Sequence, residues 1–138
     1  MKTKKQSKFI FLITAIFVIA LSSCKDKSTL LLRTWRLEDM KYTREIPKEM
    51  RPAFDRSIAE MKNSLRLTYH ADGTYVTHVN QSELNGTWKL NWNSSKITST
   101  SDGGEKKEYT IKELSSTKYS FKAMEGKNEV LFVMVPEK

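Results

Sequence analysis

Cysteine, histidine and the carboxylates are the residues that could carry chemistry in this chain of 138 residues, and the first two are scarce. The single cysteine, Cys24, excludes an internal disulfide and a cysteine-based zinc or iron–sulfur site. Two histidines, His70 and His78, limit a histidine metal site to two ligands before carboxylates are recruited. The sequence therefore predicts neither a metal site nor a cofactor.

A catalytic nucleophile needs a serine or cysteine beside a histidine and an orienting acid. Serines are abundant, but none lies in a nucleophile-elbow pattern. Gly103-Gly104 joins two predicted strands and does not open a helix, so it does not form a phosphate-binding loop. Both histidines alternate with Tyr69 and Tyr75 and are predicted to point into solvent. We therefore expect a binding protein rather than an enzyme.

The N-terminal residues predict export. An uncharged apolar run covers residues 9–21, and four lysines precede it: Lys2, Lys4, Lys5 and Lys8. At about 1.5 Å per helical residue the run spans about 20 Å, less than the ~30 Å hydrocarbon core of a bilayer. A short apolar run behind a basic head is typical of a secretory signal peptide. A membrane-spanning or buried helix is the alternative, and the polar sequence that starts at Ser22 opposes it.

Leu21-Ser22-Ser23-Cys24 resembles the lipobox of bacterial lipoproteins. The resemblance implies cleavage before Cys24, a diacylglycerol thioether on its sulfur and an amide-linked third acyl chain. At about 0.8 kcal/mol per buried methylene, two or three chains anchor a protein stably, whereas one would be marginal. A free thiol at Cys24 is the alternative.

These features divide the chain into three parts. Residues 1–23 form the predicted signal peptide, residues 24–29 the acylated cysteine with a short tether, and residues 30–138 the folded domain. We expect a protein lipid-anchored in the bacterial cell envelope, at the outer membrane on its periplasmic or surface face. Asp26 does not decide the location, because acidic residues near the cysteine accompany inner-membrane retention in some bacteria and surface export in others.

The net charge of +8 does not indicate nucleic-acid binding. The predicted signal peptide carries four lysines and no acid, so its removal leaves +4 on the mature chain. Lysines such as Lys106, Lys107 and Lys118 are interspersed with acids, which is typical of a solvated face. The sequence therefore predicts no nucleic-acid partner.

The period of the apolar residues predicts a mainly β domain with one helix. Residues 30–43 read as a first strand, and a helical stripe follows, which predicts a helix over residues 52–62. This stripe comprises Met50, Phe54, Ile58, Met61 and Leu65. Beyond Asn63 the apolar residues alternate, and the turn signals Asp72-Gly73 and Asp102-Gly103-Gly104 separate short strands. About eight antiparallel strands joined by hairpins indicate an up-and-down barrel with a helix after the first strand.

Aromatic side chains dominate the apolar faces of these strands. A barrel of eight strands is either filled by its side chains or holds one small ligand, and this set fits a pocket as well as a packed core. The candidate residues are Tyr69, Tyr75, Trp88, Trp92, Tyr109, Tyr119, Phe121 and Phe132.

Short motifs along the chain resemble the lipocalin-like domain lipoproteins that are common in Bacteroidetes. The motifs are Leu32-Arg33-Thr34-Trp35, Asp72-Gly73-Thr74-Tyr75, Gly86-Thr87-Trp88-Lys89-Leu90 and Tyr109-Thr110-Ile111. The resemblance covers nearly all of residues 30–135 and implies a small barrel on a lipid tether. It also implies a structural role for Trp35 at the closed end of the barrel. The chain departs from the family's pattern at Arg33, where glycine is usual.

Two functions follow from this reading. The first is a membrane-anchored barrel that binds a small hydrophobic or amphipathic ligand in the cell envelope. The second is a filled barrel that binds a protein partner, as an inhibitor, an immunity-type protein or an accessory factor of an envelope complex. The helix and its preceding loop, residues 48–63, would be the contact surface for such a partner, because loops on a rigid barrel often carry recognition.

Overall fold

The alternating segments form eight strands and the helical stripe forms a helix in a computed structural model that describes residues 26–138. Two helices and eight strands follow one another in the chain. They are α1 (Lys27–Leu31), β1 (Thr34–Tyr42), α2 (Arg51–Ser64), β2 (Arg66–Tyr69), β3 (Thr74–Val79), β4 (Ser82–Leu90), β5 (Lys96–Ser101), β6 (Lys106–Leu114), β7 (Tyr119–Glu125) and β8 (Asn128–Pro136).

The strands form a closed barrel in which each strand pairs with the next one along the chain. All pairs are antiparallel, and β1 closes the barrel against β8 from Trp35↔Pro136 to Tyr42↔Val130. By contrast, β1 pairs with β2 only over Thr34–Arg36. The predicted fold, an eight-stranded up-and-down barrel with a helix after the first strand, is confirmed.

The barrel has two ends, which differ in what covers them. At the end where β1 begins, called here the Trp35 end, lie α1 and the turns β2–β3, β4–β5 and β6–β7. At the opposite end, called the α2 end, lie the segment 43–50 that leads into α2 and the turns β3–β4, β5–β6 and β7–β8.

The short helix α1 begins at a capping aspartate. The Asp26 carboxylate accepts a hydrogen bond from the Ser28 backbone N–H at 3.1 Å, and Leu31 at the end of the helix is fully buried. The predicted first strand, residues 30–43, is therefore wrong at its start, because the cap holds residues up to Leu31 in a helix. Helix α1 also includes Lys27–Thr29, and β1 begins only at Thr34.

Helix α2 extends the predicted helix by one residue at its start and two at its end. Proline stands in its first turn, as the sequence indicates, because the missing N–H has no helical partner there. Ile58 and Met61 pack against the core, and the Phe54 ring meets Tyr42 edge-on at 4.6 Å between centroids. Met50 is 62% exposed and does not belong to the buried stripe. Among the described residues, no helix is long and apolar enough to cross a membrane.

Candidate functional site

Seven of the eight aromatic residues singled out from the sequence belong to the barrel core or pack against it. Tyr119 stands near the centre, with its ring 5.4 Å from Trp35 and 4.9 Å from Phe121 between centroids. The Phe121 ring in turn stacks on Phe132 at 5.1 Å and meets Tyr109 edge-on at 5.2 Å. The structure therefore brings residues from four strands into one connected set of rings.

A buried hydrogen bond between two phenols crosses the barrel. The hydroxyls of Tyr69 on β2 and Tyr119 on β7 lie 3.1 Å apart, and both side chains are at most 4% exposed. Tyr69 also meets Trp88 edge-on at 5.2 Å between centroids, which connects β4 to the same set. The interior thus holds polar groups that satisfy each other across strands that are not neighbours.

Burial raises the pKa of both phenols in this bond, that of Tyr119 well above its ordinary value. Burial also raises the pKa of Tyr75, and the neighbouring Tyr109 acts in the same direction. These tyrosines therefore remain protonated across the physiological range, and each can donate one hydrogen bond.

The barrel wall is unevenly buried. Nine inward-facing side chains of β1, β7 and β8, called here the buried wall, are each at most 9% exposed. They are Trp35, Leu37, Met40, Tyr119, Phe121, Ala123, Val130, Phe132 and Met134.

Strands β3 and β4, called here the open wall, behave differently. Tyr75, Thr77 and Val79 face inward on β3 and are only half-buried, and so are Trp88 and Leu90 on β4. A barrel filled to ordinary packing density would bury inward side chains on every strand. Solvent therefore reaches the inward side chains of the open wall.

Gly86 is the single tightly packed position on the open wall. A Cβ there would lie 2.2 Å from the Thr100 carbonyl oxygen and 2.7 Å from the Tyr75 ring. The missing side chain lets Tyr75 lie over the backbone of β4. A glycine inside a strand commonly marks such a close approach, and this is the signal in the sequence that points to it.

The expectation for Trp92 is wrong. Strand β4 ends at Leu90, and the Trp92 side chain is 94% exposed in the turn that follows. The Asn91 carboxamide oxygen accepts hydrogen bonds from the Ser95 and Lys96 backbone N–H groups at 2.9 and 3.0 Å. These bonds fold residues 91–95 into a turn, so the alternation of Trp88 and Leu90 does not continue into Trp92.

At the Trp35 end, Trp35 is fully buried and its indole N–H donates to the Leu31 carbonyl oxygen at 3.1 Å. Arg33 covers the same ring, with its guanidinium carbon 5.4 Å from the ring centroid. The Arg33 side chain also donates to the Ser116 carbonyl oxygen at 2.7 Å, which ties β1 to the β6–β7 turn. Sequence reasoning missed this contact, because nothing local relates two residues so far apart in the chain.

The two histidines do not form a site. His70 lies in the β2–β3 turn and His78 lies near the other end of β3, and both are exposed, as predicted. The His78 imidazole faces the Glu83 carboxylate at 3.6 Å across the β3–β4 hairpin. Within residues 26–138, no three His, Cys, Asp or Glu side chains are grouped as metal ligands.

A groove of about 530 Å³ separates α2 from β1 at the α2 end. Its apolar lining comes from Met40, Phe54 and Ile58, whereas two acids and two bases stand around it. These charged residues are Asp39, Asp55, Arg51 and Lys62. None of the aromatic residues selected from the sequence lines this groove. The groove exists only because α2 packs beside β1 in the folded protein.

This small closed antiparallel barrel, with a helix after its first strand and an aromatic interior, has the architecture of lipocalin-like domains. The chain belongs to this family, because the family described as lipocalin-like domain matches residues 31–121.

A crystal structure of a DUF4847 family protein from Bacteroides vulgatus is similar to this fold, with a TM-score of 0.58 and 13% sequence identity. The match covers 81% of this chain and 97% of that chain, and at this identity it concerns the fold alone. No curated protein matches the chain. Cys24 and the predicted signal peptide lie outside the described residues.

Proposed function

We propose that this protein is a lipid-anchored, non-enzymatic binding protein that holds a small amphipathic molecule inside its barrel, in the bacterial cell envelope. The observation that carries the proposal is the half-buried inner face of the open wall, opposite the closely packed buried wall. The lipocalin-like fold supports it, because the interior of such a barrel can accommodate one small ligand.

The groups that face the interior favour an uncharged ligand. They are aromatic and aliphatic side chains together with hydroxyls from the tyrosines and from Ser99 on β5, which is 7% exposed. A charged ligand group buried among them would lose its hydration without gaining a countercharge, because Lys107, which pairs with the inward Ser99, stays exposed at the α2 end. A neutral amphiphile could instead bury its apolar part against the rings and accept a hydrogen bond from Tyr75 or Tyr109.

The same set of groups supports binding rather than catalysis. Burial raises the pKa of Tyr69 and Tyr119, so both phenols stay protonated and are poor proton acceptors at neutral pH. A general base near neutral pH needs the opposite shift for a phenol. The interior therefore offers contact area and hydrogen-bond donors.

A neutral fluorescent probe tests the binding site. N-phenyl-1-naphthylamine should gain fluorescence with the wild-type protein, because it would occupy the apolar space beside the open wall. Thr77→Phe should weaken this binding about 10-fold or more, since the new ring would fill that space. Val76→Phe, on the outward face of the same strand, is the matched control and should bind like the wild type. Absence of binding by the wild type, or an equal loss in both variants, would contradict the proposal.

The anchor rests on the lipobox-like sequence and has its own test. Cys24→Ala should prevent labelled palmitate from entering the protein and should block the normal cleavage of the signal peptide. A variant that still incorporates palmitate and fractionates with membranes like the wild type would show that the lipoprotein assignment is wrong.

The groove beside α2 favours a second candidate function, the binding of an envelope protein partner. Every residue of α2 is at least partly exposed, and the groove offers apolar side chains ringed by both signs of charge. A photo-crosslinking residue at Ala59, which lines the groove, should capture such a partner in intact cells, whereas one at Ser57 on the same helix should not. Equal capture, or none, at both positions would oppose this function.

A further inference from the structure

Trp92 is the most exposed large apolar side chain among the described residues, at 94%. It stands in the β4–β5 turn, which lies at the Trp35 end of the barrel. Side-chain hydrogen bonds within the turn hold it in shape, and in one of them the Ser95 hydroxyl donates to the Asn93 carboxamide oxygen at 2.6 Å. Tryptophan combines a large apolar ring with one polar N–H, which suits the boundary between lipid and water.

The position of the chain's N-terminal segment limits where a membrane can lie. Only three residue steps separate Cys24 from Lys27, where α1 begins, and at most about 3.6 Å per step they reach about 11 Å. Helix α1 is fastened to the barrel by the buried Leu31 and by the Trp35–Leu31 hydrogen bond. A lipid on Cys24 therefore keeps the Trp35 end, and Trp92 with it, close to the bilayer surface.

The three hairpin turns at the Trp35 end carry few charges. Residues 70–73, 91–95 and 115–118 contain two charged side chains, Asp72 and Lys118, and residues 91–95 around Trp92 contain none. The other charged residues of this end lie beside α1 and after β8, and they are Asp26, Lys27, Arg33, Glu137 and Lys138. A turn without charges approaches lipid headgroups at a lower desolvation cost.

From these observations we infer that the Trp35 end is a membrane-docking face and that Trp92 inserts into the headgroup region of the bilayer that holds the anchor. The barrel then stands with its α2 end and the groove directed away from the lipid. The partner is a phospholipid surface, and the inference rests on the proposed anchor at Cys24.

The test uses the full, acylated protein reconstituted into phosphatidylethanolamine–phosphatidylglycerol vesicles that contain brominated phospholipids. Bromine quenches tryptophan fluorescence only at short range. The wild type should be quenched, most strongly by bromines placed near the headgroups, and Trp92→Phe should lose that quenching. The control is the double variant Trp92→Phe/Met50→Trp, which moves the exposed indole to the segment 43–50 at the α2 end, where Met50 is 62% exposed. This control should not be quenched.

Each outcome bears on a separate statement. Unchanged quenching in Trp92→Phe would overturn the role of Trp92, and quenching of the Met50→Trp control equal to that of the wild type would overturn the orientation. A protein that takes up labelled palmitate and floats with the vesicles, but shows no quenching, overturns the docking face while the anchor stands. If the protein takes up no palmitate, the proposed anchor and the docking face are overturned together.

Discussion

The buried wall and the open wall belong to one barrel, yet they bury their inner faces to different extents. On β1, β7 and β8 the inward side chains pack into a continuous layer in which Trp35, Tyr119 and Met134 are fully buried. On β3 no residue is buried, and on β4 only Gly86 is. The difference indicates that the first and last strands contribute more to stability than β3 and β4, which supply an accessible inner surface.

The three tryptophans provide the strongest test of this division, because they share one chemistry and differ in burial. Trp35→Ala should lower the free energy of unfolding by about 3–5 kcal/mol, since it removes a fully buried ring. Trp92→Ala should change it by less than about 0.5 kcal/mol, because that side chain is exposed. Trp88→Ala, on the open wall, should fall between them. Urea denaturation measures all three, and a Trp88 value equal to that of Trp35 would contradict the division.

Alkaline pH should weaken the fold through the buried phenols. Burial raises the folded-state pKa of Tyr69 and Tyr119. The stability that the two protonated phenols contribute is therefore complete below the unfolded-state pKa of about 10, and it is lost as pH rises through the folded-state values. Together they should lower the free energy of unfolding by about 3 kcal/mol per pH unit above pH 10. Denaturation at several pH values measures this slope. A double Tyr69→Phe/Tyr119→Phe variant should show a smaller slope, and an unchanged one would refute the assignment.

Gly86 is an exception within the open wall, and its substitution should show this. Gly86→Ala should destabilise the protein by about 3 kcal/mol, because the new Cβ would collide with the backbone carbonyl of Thr100, which cannot move aside easily. Gly103→Ala is the matched control, since its nearest neighbour would be the Ser101 hydroxyl at 3.8 Å. Thermal unfolding of the two variants gives the comparison. Equal melting temperatures would mean that β4 is not closely packed against β5 at this point.

Enlarging a side chain on each wall should give the smallest but most direct contrast. Ala123→Phe on the buried wall should cost about 1–3 kcal/mol, because no space is left beside an 8% exposed side chain. Thr77→Phe on the open wall should cost less than about 1 kcal/mol, since its ring can enter accessible space. Chemical denaturation decides between them. A larger cost for Thr77→Phe would show that the open wall is filled after all.

The barrel could be predicted from the sequence because its strands alternate with a clear period of two and three of its six hairpin turns carry glycine. The prediction failed where local hydrogen bonds override that period, at the Asp26 cap and in the turn after Leu90. The start of β4 could not be predicted either, because β4 begins at Ser82 with polar residues after a tight turn at Asn80, which has a φ of +55°. An apolar pattern cannot show a strand whose first residues are polar.

The candidate site was predictable only in part. Alternation indicated that most of the aromatic side chains face inward, but it could not show which inner faces remain accessible. That property depends on how β1, β7 and β8 fill the interior from one side, which involves residues distant in sequence. Likewise, the groove beside α2 and the Arg33–Ser116 contact exist only once the barrel has closed.

The closure between β1 and β8 has a consequence for biogenesis. The strand that follows the N-terminal segment finds its main partner in the last residues of the chain, up to Pro136. A polypeptide that crosses a membrane N-terminus first cannot complete this pairing until nearly all of it has emerged. Contacts of such large sequence separation also form slowly. Under the proposed export, the chain would thus stay unfolded during translocation and close only afterwards, when the proposed anchor already holds its first strand near the bilayer.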